Sequence, residues 1–138
     1  MKTTEGTLTK TQLNPWTWQD KRGFSQGWMV EGARSLIIVS GQVAVDGDGR
    51  PVGTEPADFE AQVRQVFENL AAVLGKAGAS LDDIVKLNVY LTDMSKVADY
   101  GRIKGDYIKG RQPASTAVGV TALAMPGLMI EVEATAAV

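Results

Sequence analysis

Between Pro56 and Asp93 the hydrophobic period of the chain changes once, and that change limits the folds open to it. Phe59, Val63, Val66, Phe67, Leu70, Val73 and Leu74 recur at steps of three and four, with Glu60, Arg64, Gln65 and Glu68 on the other side. This spacing predicts an amphipathic helix laid on a core. Pro56 suits a first helical position, where its missing N–H has no partner to lose. Gly75 and Gly78 supply the stop. From Val85 the period falls to two: Val85, Leu87, Val89 and Leu91 alternate with Lys86, Asn88 and Tyr90, as in a half-buried strand. A one-sided helix followed by a one-sided strand can hide both apolar faces only by layering them, which points to α+β architecture.

The flanking segments extend that layer. Two β-rich runs, Ser25–Val30 and Ser35–Val39, surround a Glu31-Gly32-Ala33-Arg34 turn and read as a hairpin. Asp46-Gly47-Asp48-Gly49 reads as a tight turn. A calcium loop starting at Asp46 would need glutamate at its twelfth position, where Ala57 stands. A second helix is expected over 95–109, with Val97, Tyr100, Ile103 and Tyr107 inward. Its Gly101 and Gly105 each weaken a helix interior by up to ~1 kcal/mol, so either the helix is weak there or something packs close. Strands over 115–123 and 128–136 follow, joined by Ala124-Met125-Pro126-Gly127. The order β-β-α-β-α-β-β fits a mixed sheet with both helices on one face. The other face, carrying Met129, Glu131, Glu133 and Thr135 on the last strand, is either wet or buried in an oligomer. The first ~13 residues are polar and are either loose or an edge strand.

Composition removes several classes of chemistry. The 138 residues suit a single domain, 1–138, and contain no cysteine and no histidine. Serine–histidine and cysteine–histidine mechanisms are therefore out, and acid–base work falls to Asp, Glu, Lys, Tyr or water. Gly23-Phe24-Ser25-Gln26-Gly27 matches the spacing of a nucleophile elbow, but no helix is expected after it and no histidine can take the proton; it reads as a turn. The net charge of −2 gives no reason to expect nucleic acid as a partner. The N-terminus has no apolar run of the secretory kind, and no run is long enough for a membrane span, so a cytoplasmic protein is expected. Glu131 and Glu133 share one strand face, a paired-carboxylate pattern fit for acid–base work or simply for solvent. Trp16 and Trp18 either line a pocket or pin the N-terminal segment.

Ser40-Gly41-Gln42, Asn69-Leu70 in the helix, the run from Lys86 to Asp93, Pro113-Ala114 and Glu131-Val132-Glu133 together resemble the Rid family (reactive intermediate deaminases, also called YjgF) over about residues 20–138. The resemblance implies a chorismate-mutase-like α+β fold and a homotrimer whose three sheets pack together, with small-molecule sites in clefts between subunits. It implies hydrolysis of reactive imines and enamines, such as 2-aminoacrylate, to keto acids and ammonia, without cofactor or metal. In that family an arginine grips the substrate carboxylate and a glutamate positions water. The family's Pro-Ala-Arg-Ser reads Pro113-Ala114-Ser115-Thr116 here, so Ser115 occupies the arginine position. The resemblance also sets Phe24 where the family has a tyrosine, Gly101 where it has an asparagine, and Glu133 at the glutamate.

The expected protein is therefore a Rid-like hydrolase or deaminase of atypical specificity. Glu133 would hold and activate water. Backbone near Gly41 and the hydroxyls of Ser115 and Thr116 would orient substrate, with Phe24 and Gly101 beside them. A serine cannot copy a bidentate guanidinium–carboxylate pair. Arg111, two residues before Pro113, is the nearest substitute, and Arg22 and Arg102 are others. The alternative is a regulatory or ligand-binding trimer that keeps the clefts without the reaction. RNA cleavage, reported for parts of the family, finds little support in an acidic chain without histidine.

Overall fold

The computed structural model describes residues 7–138. Its strands are β1 (Thr9–Gln12), β2 (Trp28–Glu31), β3 (Leu36–Val43), β4 (Ile84–Leu91), β5 (Ala114–Gly119) and β6 (Ile130–Ala137), and its helices are α1 (Phe59–Gly75) and α2 (Val97–Lys104). Four strands form a mixed sheet in the order β3-β6-β4-β5, antiparallel except for the parallel β4–β5 pair. Helix α1 packs on β3 and β6, and α2 packs on α1, with Tyr100 stacked on Phe67 at 6.1 Å. This is the expected α+β fold: a mixed sheet with its core under two helices.

The core follows from the two periodicities. Val63, Val66, Phe67, Leu70 and Leu74 of α1 meet Leu87, Val89 and Leu91 of β4 and Ile130 and Val132 of β6, all buried. The predicted stripe needs three corrections. Val73 is exposed, Leu74 taking the core position in that turn, and Val97 at the start of α2 is exposed as well. Ile84 rather than Val85 enters the core, because the β4–β6 register shifts between Ile84 and Lys86 and moves Val85 out of the alternation.

Other expectations also change. The runs around Gly32 do not form a hairpin. β2 pairs with β1 in a separate two-stranded sheet, while β3 pairs with β6. The hydrogen-bonding partner of β2 is thus the polar segment at 9–12, which forms an edge strand; residues 1–6 lie outside the described residues. Pro56 precedes α1 rather than opening it. The N-cap is Asp58, whose carboxylate accepts from the Ala61 N–H. Gly78, at φ 71°, takes the left-handed turn that closes the helix. The second helix is short, ending at Lys104 rather than 109. A Cβ on Gly101 would meet nothing within 4 Å, so no close packing explains that glycine.

One sheet face carries the helices; the other is bare. On it stand Leu36 and Ile38 of β3, 64% and 76% exposed, with Val118 of β5 also exposed. Between them lies a polar strip, where Lys86, Asn88 and Tyr90 stand in register with Thr135, Glu133 and Glu131.

Candidate functional site

A cleft of about 740 Å³ opens on the helix side of the sheet edge, between β5, α2 and the short 3-10 turn Trp18–Arg22. Arg22, Phe24, Gly101, Arg102, Lys104 and Ser115 are among its walls. Ser115 faces it because it lies in register with the buried Leu87. Phe24 is set by an edge-on contact with Trp18, centroids 5.7 Å apart. The chain reaches Phe24 through Gly23, whose φ of 72° ends the 3-10 turn.

Two anchors hold this wall in place. Ser25, buried in the strand-like stretch after Phe24, donates from its hydroxyl to the Gln112 carbonyl at 2.6 Å and accepts from Gln12 Nε2 at 2.8 Å. The G-x-S-x-G serine is thus structural. Lys104, at the C-terminal end of α2, donates from Nζ to the Gly23 carbonyl at 2.6 Å. It is only 5% exposed, and burial lowers its pKa to about 8. Tyr100, one turn earlier, lines the same cleft, and its buried hydroxyl has no hydrogen-bond partner among the described residues. Burial pushes the Tyr100 phenol well above its ordinary range. Sequence reasoning missed Lys104. Its signal was a lysine at the i+4 position from Tyr100, on the stripe meant for the core.

The other candidates lie elsewhere. Arg111 stands outside the cleft: its guanidinium covers the Trp28 ring at 4.8 Å and reaches the Lys10 carbonyl at 3.4 Å. Arg102 borders the cleft but is bonded to Glu60 at 3.2 Å. Thr116 belongs to the bare face, where its hydroxyl accepts from Lys86 Nζ at 2.8 Å. Trp16 and Trp18 are both exposed. The Asp46 carboxylate closes its own turn by accepting from the N–H groups of Asp48 and Arg50. These bonds hold it below the usual carboxylate range.

Glu133 is also on the bare face, in register with Asn88. Its carboxylate accepts from the Tyr90 hydroxyl at 2.7 Å, and this bond is the main reason the Tyr90 phenol is held above its ordinary value. Glu131, two residues before it, lies over Gly41. A Cβ there would overlap the Glu131 carboxylate, so a glycine at 41 keeps that space open. Among the described residues no group of three or more acidic side chains is placed to hold a metal ion. Also among them, no helix is long and apolar enough to cross a membrane.

Fold and site together define a small α+β protein whose candidate chemistry is divided between the two faces of one sheet. Residues 19–138 match the family described as Endoribonuclease L-PSP. A RutC family protein of Pyrococcus abyssi is 36% identical over 102 residues, covering 74% of this chain and 78% of the relative. The mitochondrial protein mmf2 of Schizosaccharomyces pombe is 40% identical over 104 residues, 74% of this chain and 79% of its own. The crystal structure of YyfB from Yersinia pestis, of the conserved Rid protein family, superposes with a TM-score of 0.80 at 37% identity and covers 94% of this chain and 98% of that one. The chain belongs to the Rid (YjgF) family.

Proposed function

We propose that the protein hydrolyses a reactive imine, enamine or related small metabolite, in clefts that a second copy of the chain completes. The observation that carries this reading is that Phe24, Gly101 and Ser115, three positions matched to the substrate site of the Rid family, line one cleft. Glu133 faces away from that cleft within its own chain, so the carboxylate that works there comes from a neighbour. The bare apolar ends of the sheet, Leu36 and Ile38, supply the surface for that neighbour, and a homotrimer is part of the proposal. In the reaction, Glu133 takes a proton from water as the oxygen adds to the C=N carbon. The proton passes to nitrogen, the C–N bond of the resulting carbinolamine breaks, and a carbonyl compound and ammonia leave. No metal or cofactor enters this scheme, and a cytoplasmic location belongs to the same proposal.

Ammonia release from imines generated in situ from several amino acids tests the reading. Turnover above buffer that is lost in Glu133→Gln supports it; full activity in that variant would refute it. Equilibrium sedimentation of the protein and of Ile38→Asp tests the assembly, with a trimer expected for the first and a smaller species for the second. A second reading, a ligand-binding trimer without hydrolysis, is favoured by the serine at the arginine position. It is the one to adopt if ligands bind and no imine turns over.

A further inference from the structure

One lysine of the cleft is not placed like a surface cation. Lys104 is only 5% exposed, and Phe24, Val97, Ala98 and Ala117 are among the other walls. Its Nζ donates to the Gly23 carbonyl at 2.6 Å, and Gly23 lines the same cleft, so the amine end of the side chain is held at the cavity wall. No carboxylate among the described residues pairs with it. Asp20 supplies the single carboxylate of the lining, among Lys21, Arg22 and Arg102. A buried ammonium without a counter-charge is costly, and the simplest relief is loss of its proton. Burial accordingly lowers the Lys104 pKa to about 8. The neutral amine still has an N–H for the Gly23 carbonyl, and it gains a lone pair. Lysines desolvated in this way are the ones that add to carbonyl carbon. The imine hydrolysis proposed above gives Lys104 no part.

We propose that Lys104 is a nucleophile that forms an imine with a small aldehyde admitted to this cleft. The ammonium first gives its proton to solvent. The lysine nitrogen then adds to the aldehyde carbon, and the carbonyl oxygen takes a proton from that nitrogen to become the hydroxyl of a carbinolamine. The hydroxyl leaves as water with one proton from solvent, and a protonated C=N bond remains on Lys104. One water is released, nothing is oxidised or reduced, and the positive charge of the side chain is unchanged overall. Water reverses the step. The apolar walls at Phe24, Val97, Ala98 and Ala117 suit an aldehyde with a short hydrocarbon body. This covalent site goes beyond the hydrolysis of a free imine and does not depend on it.

Propanal and sodium cyanoborohydride, which reduces an imine to a stable propylamine, are added to the full-length protein at pH 7. The modified lysines are mapped over time by peptide mass spectrometry. Lys104 is expected to be propylated at least about tenfold faster than the exposed Lys21, Lys76 and Lys109, since an ordinary lysine is almost wholly protonated at that pH. Lys21 is the sharpest control, because it belongs to the same cleft. The preference is expected to vanish in guanidinium chloride, where burial is lost, and in Ala117→Trp, which fills the cleft. A rate at Lys104 no greater than at the exposed lysines overturns the proposal. So does a preference that survives unfolding or persists in folded Ala117→Trp. If that variant does not fold, the comparison within the unaltered protein decides. Ammonia has no part in the readout, so the hydrolase reading can fail while Lys104 is labelled, and can hold while it is not.

Discussion

Ser115 and Glu133 stand on opposite faces of the same sheet. Ser115 of β5 is in register with Leu87, whose side chain is buried under the helices, and Glu133 of β6 is in register with Asn88 on the bare side. Side chains alternate faces along a strand, so no rotamer change brings the two together. A site that uses both needs two copies of the chain.

That relationship predicts complementation. Glu133→Gln disables the carboxylate and Ala117→Trp blocks the cleft, so each variant alone is inactive. Co-refolded in equal amounts, they regain about a quarter of the activity, because random pairing at a symmetric interface joins an open cleft to an intact glutamate once in about four contacts. The ammonia assay on the mixed and separate proteins reads this directly, and a mixture no better than its parts counts against the shared site.

Lys104 predicts an unusual pH dependence of stability. The groups around it are Asp20, Lys21 and Arg22 from the 3-10 turn and Tyr100 and Arg102 from its own helix, while β5 contributes the uncharged Ser115 and Ala117. Burial lowers its folded pKa to about 8 from the usual lysine value of 10.5. Between those values the unfolded chain holds more protons than the folded one, so this group's contribution to stability rises with pH through that window, by at most about 1.4 kcal/mol per unit. Below pH 8 the folded state bears the full cost of the buried charge. Lys104→Met is therefore expected to melt above the unaltered protein at pH 7, with the difference in Tm shrinking toward pH 10. A constant difference would show that the lysine is not the source.

Gly101 predicts a stabilising substitution. It lies inside α2, and a Cβ added there meets no atom within 4 Å. Gly101→Ala should raise stability by about 0.5–1 kcal/mol, read as a higher urea midpoint with an unchanged slope. A fall in the midpoint would mean that the space is filled in the assembled protein.

Gln62 predicts a large loss. Fully buried on α1, its side-chain amide donates to the Gly53 and Gly127 carbonyls at 2.9 and 3.0 Å, and its oxygen accepts from the Met129 N–H at 2.8 Å. Gln62→Leu keeps the volume but orphans two backbone groups, the Gly127 carbonyl and the Met129 N–H, at about 1–3 kcal/mol each where water cannot reach them, while the Gly53 carbonyl keeps the Asp58 N–H. A loss of at least about 2 kcal/mol in urea unfolding is expected, and a neutral result would mean that water replaces the amide.

The sequence by itself determined the layers. The step of three and four in 59–74 and the step of two in 87–91 set which faces of α1 and β4 are buried, because burial is a local demand that each side chain carries in its own period. It also determined the family, through blocks from Ser40-Gly41-Gln42 to Glu131-Val132-Glu133.

Only the tertiary structure decided the pairings. β2 turned from β3 to β1, since a strand's hydrogen bonds can be met by any partner and the sequence near Gly32 does not say which. It likewise set Arg111 on Trp28 rather than in the cleft, and put Lys104, an inward lysine easily taken for surface, beside the carbonyl of Gly23. The last two outcomes depend on distances between segments 80 or more residues apart, and no local pattern encodes such a distance.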